Sequence, residues 1–113
     1  MATVLAQAAG ITGLTPTMSS ASSGGDLVET GDSVFLVVCS DSTPATLTIT
    51  TPNTVSGLAI ADASVTIPAS AGVSGTSGPV IVALPTAVFG NASGLAALSW
   101  SATTGIKFAV VRR

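Results

Sequence analysis

The apolar residues of this chain come in short runs, and every run is cut off by proline, glycine or a cluster of Ser, Thr, Asn and Asp. No window of about 12 residues holds a helical apolar stripe free of such breakers, which leaves strands as the way to bury what is apolar. Thr30-Gly31-Asp32-Ser33 forms a turn and leads into Val34-Phe35-Leu36-Val37-Val38-Cys39. That unbroken apolar run is suited to a strand buried on both faces. After a second turn, Ser40 to Pro44, Ala45 to Thr50 alternates: Leu47 and Ile49 face one side, and Thr46, Thr48 and Thr50 the other. A period of two marks a half-buried strand. Leu58 to Ile60 is a weak strand, and Ser64 to Ile67 alternates until Pro68. Ala69 to Gly78 is a Gly/Ser loop, and Pro79 to Leu84 is a strand closed by Pro85. Thr86 to Gly94 is a turn region with Val88 and Phe89 tucked in as a plug. Leu95 to Ser101 puts Ala96, Leu98 and Trp100 on one face, and Ile106 to Val111 puts Ile106, Phe108 and Val110 inside. Roughly six or seven short strands at about 8–12-residue spacing predict an all-β fold, a single antiparallel β-sandwich of jelly-roll or immunoglobulin-like type.

Residues 26–113 carry that pattern; residues 1–25 do not. They are small and polar, with Ser19 to Gly25 unable to build a core. A disordered terminus has this composition. The apolar residues Leu5, Ile11, Leu14 and Met18 within it point instead to an extended N-terminal arm that docks on something.

Charge is nearly absent. There are three basic and five acidic side chains and no His or Tyr; 7% of residues are charged and 47% are hydrophobic. Soluble domains carry about a quarter of their residues as charges, so this surface is poorly defended against self-association. A subunit that lives packed against other subunits fits that composition. All three cations lie between 107 and 113, too few to displace phosphate counterions, so nucleic acid is not an expected partner. No apolar run approaches the roughly 20 residues of a membrane-spanning helix. The opening Met1 to Ala6 has no basic region of the secretory kind. Cys39 has no second cysteine to pair with, which fits folding in a reducing cytoplasm.

The tools of catalysis are missing too. A Ser nucleophile needs a base, usually His, and zinc sites need clustered Cys and His. Cys39, between Val38 and Ser40, reads as a small buried hydrophobe. Asp26, Glu29 and Asp32 could be proposed as paired carboxylates or weak calcium ligands. They fall on a turn-rich stretch, where Asp serves local hydrogen bonds. Gly72 to Gly78 lacks the Lys of a phosphate loop and precedes a strand. The expectation is a protein that is not an enzyme, with no catalytic residues, cofactor or metal. Arg112-Arg113 can pin the end of the last strand to an acidic neighbour, or serve as a solubilising tail.

The order of motifs resembles a family of small tailed-phage virion proteins, the head decoration or minor structural proteins. The residues that carry the likeness are Gly13-Leu14-Thr15-Pro16-Thr17, an Ala/Ser stretch ending Gly24-Gly25-Asp26, and Thr30-Gly31-Asp32 into Val34 to Val37. Val65 to Ala69, Gly78-Pro79, Phe89-Gly90-Asn91, Leu98 to Ser101 and Val110-Val111-Arg112 complete it. The chain departs from the pattern in its fewer charges and its Arg-Arg end. The resemblance implies a β-sandwich that cements the outside of a capsid lattice, binding the major capsid protein and itself, as homotrimers at three-fold positions. It places the protein in the virion, on the capsid surface, after synthesis in the cytoplasm of a bacterial host. Contacts are expected from Leu5, Ile11, Leu14, Pro16 and Met18 of the arm and from Arg112 and Arg113. Two rivals share the composition: another virion subunit, such as a head fibre or tail tube, and a secreted sugar-binding sandwich that uses Trp100.

Overall fold

Alternation and turn chemistry build two packed sheets. In a computed structural model the described residues are 3–11, 13–14, 16–41, 44–52, 54–55, 57–59, 61–69, 78–91 and 93–113. The Gly/Ser loop expected over 69–78 falls almost wholly outside them, as do Ile60 and Asn53. The elements are β1 (Thr3–Val4), β2 (Gln7–Ala8), β3 (Ser19–Ser20), β4 (Asp26–Glu29), β5 (Val34–Ser40), β6 (Ala45–Ile49) and the pair β7 (Thr54–Val55) and β8 (Leu58–Ala59). β9 (Ala63–Ile67), β10 (Val80–Ala83), a one-turn helix α1 (Thr86–Phe89), β11 (Leu95–Trp100) and β12 (Ile106–Arg112) follow. Among the described residues no helix is long and apolar enough to cross a membrane.

One sheet has the order β1-β4-β11-β6-β9 and is called sheet I here; the other, sheet II, has the order β10-β5-β12-β2, with β3 also on β12. The alternation expected over 45–50, 95–100 and 106–110 holds. Leu47, Ile49, Ala96, Leu98, Ile106, Phe108 and Val110 are buried together with Val28, Leu36, Val38 and Ile67 in one core. Each fully buried Leu, Ile, Val or Phe contributes roughly 1.5–3 kcal/mol. The longest pairing, β5 against β12, sets Val38 opposite Phe108 and Leu36 opposite Val110, so both strands aim their even positions inward.

The sheets are mixed, not purely antiparallel. β1 runs parallel to β4, and β2 runs parallel to β12. The reason lies in the N-terminal segment: it enters along one edge of sheet I, crosses to the edge of sheet II, and needs no crossover helix because residues 9–25 return it to β4. Residues of 3–20 thereby join the two sheets through three two-residue pairings. The Ala6 amide donates to Glu29 Oε1 at 3.0 Å, and the Gln7 side chain both donates to and accepts from the Thr17 backbone.

Three further expectations are corrected. Val34 to Cys39 is fully buried on one face only: Val34, Leu36 and Val38 lie in the core, whereas on the outer side of sheet II Phe35 is exposed and Val37 and Cys39 are half-buried. The 86–94 region contains α1, one helical turn closed by the Gly90 amide on the Thr86 carbonyl. Its Phe89 is the expected plug, but Val88 points out and is 39% exposed. Proline stands beside one rim strand of each sheet: β9 stops at Pro68, β10 starts after Pro79, and Pro85 follows Leu84. Proline has no N–H to offer a neighbouring strand.

Candidate partner-binding surface

The outer faces of the two sheets differ in chemistry. Sheet I is divided: over β6, β9 and the end of β11 the outward side chains are hydroxylic, Ser99, Thr48 and Ser64 forming one row and Thr46 beside Thr66 the next, whereas over β4 and the start of β11 they are Leu27, Glu29, Leu95 and Ala97, all half-buried. Along sheet II the outward side chains are apolar. Ala83, Phe35 and Val111 form one row across β10, β5 and β12, and Ile81 and Val37 stand in the next. Phe35 is 40% and Ile81 62% exposed. Between these rows lies an open hollow of about 240 Å³, lined by Phe35, Val37, Ile81, Val111, Ala9 and the two terminal arginines.

The charges flank that apolar strip in a fixed order. Asp32 sits just before β5 and Asp41 just after it; Arg112 and Arg113 sit at one end of β12 and Lys107 at the other. Because β5 and β12 are antiparallel, Asp32 lies at the arginine end and Asp41 at the lysine end. Asp32 and Arg113 line one shallow depression, Asp41 and Lys107 another. Among the described residues no ion pair or hydrogen bond ties down the side chain of Lys107, Arg112 or Arg113.

The seven residues singled out from the sequence divide into three groups. Ile11 is fully exposed on a turn closed by the Gly13 amide on the Gly10 carbonyl; Leu5 is also exposed, and Leu14 marginally so. Pro16 and Met18 are half-buried. Arg112 and Arg113 are exposed and meet the N-terminal segment, since the Ala9 amide donates to the Arg112 carbonyl at 2.7 Å. The residues the sequence reading missed are Phe35, Val37, Ile81 and Val111. Their signal was present: a continuous apolar strand in a two-layer fold must show one face to the outside.

The acidic candidates do not converge. Asp26 is buried; its Oδ2 accepts from the Ser22 amide and from Trp100 Nε1, each at 3.0 Å. Glu29 lies on the opposite face of β4, and Asp32 is exposed at the turn. Among the described residues no group of three or more such side chains is placed to hold a metal. Trp100 is half-buried, with its ring 5.4 Å from Phe108, and so does not stand out as a stacking platform. The class defined by these observations is an all-β fold of two mixed sheets, one with an apolar outer face and the other hydroxylic over its β6–β9 side. No family model, curated protein or solved structure matches the chain.

Proposed function

We propose that the protein is a structural subunit of an assembly: a decoration, or cement, protein on the outside of a tailed-phage capsid, where it stabilises the head. The observation that carries the reading is the uncovered apolar surface, Ile11 and the sheet II face, on a chain with 7% charged residues. Isolated apolar side chains are ordinary on a monomer, but a contiguous strip flanked by charges marks an interaction site. The family resemblance supports the same role. In this reading the fold is a jelly-roll or immunoglobulin-like sandwich, residues 1–25 act as the arm, and Leu5, Ile11 and Leu14 contact the major capsid protein. The hydroxylic side of sheet I, over β6 and β9, looks to solvent, and many copies add up weak contacts by multivalency.

The test is co-sedimentation of the purified protein with undecorated tailed-phage heads, followed by cryo-EM of the pellet. Density on the shell is expected, together with raised resistance of the heads to heat. Deleting residues 2–18 should abolish binding while the remaining domain still melts cooperatively, at a lower temperature because β1 and β2 are lost. Unchanged affinity of the truncated chain refutes the arm. Absence of the full chain from the shell refutes the decoration role.

A further inference from the structure

The placement of charge around the apolar strip of sheet II points to its occupant. Both acids that flank the strip belong to the ends of β5, and all cations belong to the ends of β12, the neighbouring strand. A two-fold axis parallel to the strands and midway between β5 and β12 lays β5 of one copy over β12 of the other without exchanging their ends. Asp32 then meets the arginines of the other copy, Asp41 meets its Lys107, and Phe35 lands on its Val111. The alternative axis, across the strands, lays β12 over β12 and sets Lys107 against the arginines, which repel. Only one of the two face-to-face arrangements is thus self-complementary.

We propose that two copies of this chain stack through the outer faces of sheet II about this axis. The inference rests on the assembly-subunit reading and names the surface and geometry of its self-association. The contact is isologous, each residue meeting its counterpart's partner reciprocally, so it closes at two copies and does not grow into a fibre. It is distinct from the three-fold clustering implied by the resemblance, and on a shell it would join neighbouring clusters. Sheets packed face to face stand about 10 Å apart and cross at about 30°. Four strands at about 4.8 Å spacing give a patch on the order of 400 Å² per copy, below a standard protein interface. The expected dimer is therefore weak and depends on concentration. The marginal area also assigns weight to the charges, which fix register and exclude the other stacking.

Sedimentation velocity of the full chain across a micromolar-to-millimolar series tests the stacking, with thermal melting of dilute samples as the control for folding. A reversible monomer–dimer equilibrium is expected at low salt, weakened at high salt, and weakened at least tenfold by Ile81→Thr or Phe35→Thr. The decisive arm is a mixing experiment. Asp41→Lys chains carry two lysines at that end of the strip and should fail to pair with themselves. Lys107→Asp chains carry two aspartates there and should fail likewise. Mixed together they should form a heterodimer at least tenfold tighter than either homodimer, a result that no contact within one chain can produce. A wild type that stays monomeric, or a mixture no tighter than its components, overturns the stacking. Because capsid co-sedimentation is read separately, loss of the dimer with capsid binding intact sinks this inference and leaves the decoration role standing.

Discussion

Gly25 and Gly94 allow two penalties of backbone geometry to be measured apart. Both adopt positive φ, +89° and +76°, a region that side-chain-bearing residues avoid. At Gly94 a Cβ would meet nothing within 4 Å; at Gly25 it would come within 2.6 Å of the Leu98 carbonyl oxygen. That oxygen belongs to β11 where it pairs with β4, Leu98 standing opposite Asp26, so it cannot yield as a side-chain tip would. Gly94→Ala therefore carries only the conformational cost, about 1 kcal/mol. Gly25→Ala carries that cost plus a backbone collision of about 1–3 kcal/mol, on the scale of overpacking. Stiffening of the unfolded chain favours both variants equally and drops out of the difference. At about 4 °C per kcal/mol for a domain of this size, Gly94→Ala should lower Tm by about 4 °C and Gly25→Ala by about 8–16 °C. Scanning calorimetry reads both. The emission of Trp100 should also change in Gly25→Ala, because the shift displaces Asp26 from the indole N–H. Equal Tm values for the two variants would refute the assignment of a tight backbone approach at Gly25.

Other substitutions probe the core and the two faces. Phe108→Ala removes a fully buried ring stacked near Trp100 and should cost about 3–5 kcal/mol by urea titration. Asp26→Ala leaves the Trp100 N–H and the Ser22 amide without their acceptor and should cost more than Trp100→Phe, which removes one donor and is expected to cost about 1–2 kcal/mol. Thr46→Lys and Thr66→Lys, on the exposed hydroxylic side of sheet I, should each stay within about 0.5 kcal/mol of wild type in the same titration.

Much of the fold was legible because a buried face on a strand writes itself as a period of two. Leu47 and Ile49, Ala96 and Leu98, and Ile106, Phe108 and Val110 all point inward as their alternation dictates. What escaped the sequence had no period to write. A two-residue pairing such as Thr3–Val4 with β4 is too short to alternate, and its parallel sense depends on where the chain returns. The single turn Thr86–Phe89 is shorter than a helical stripe, so only its buried Phe89 was visible. Val34 to Cys39 misled in a more useful way. Its composition matches a strand buried on both faces, yet the fold packs the other sheet against one face alone. The error and the candidate surface are the same residues: Phe35, Val37 and Cys39 stand where a covering layer would be. Of the seven residues marked as contacts, Arg112 and Arg113 join this surface, while Ile11 and Leu5 form a separate exposed group.

The prolines beside β9 and β10 bear on how such a chain behaves when crowded. Free rims of β-sheets are templates on which cross-β fibrils grow, and low charge removes the usual deterrent. Here ring-locked residues without an amide hydrogen stand beside one rim of each sheet, Pro68 at β9 and Pro79 and Pro85 at β10, while the opposite rims, β1 and β2, are only two residues long. Concentrated stocks should therefore stay clear, their association closed and reversible on dilution, and thioflavin T should stay dark in them.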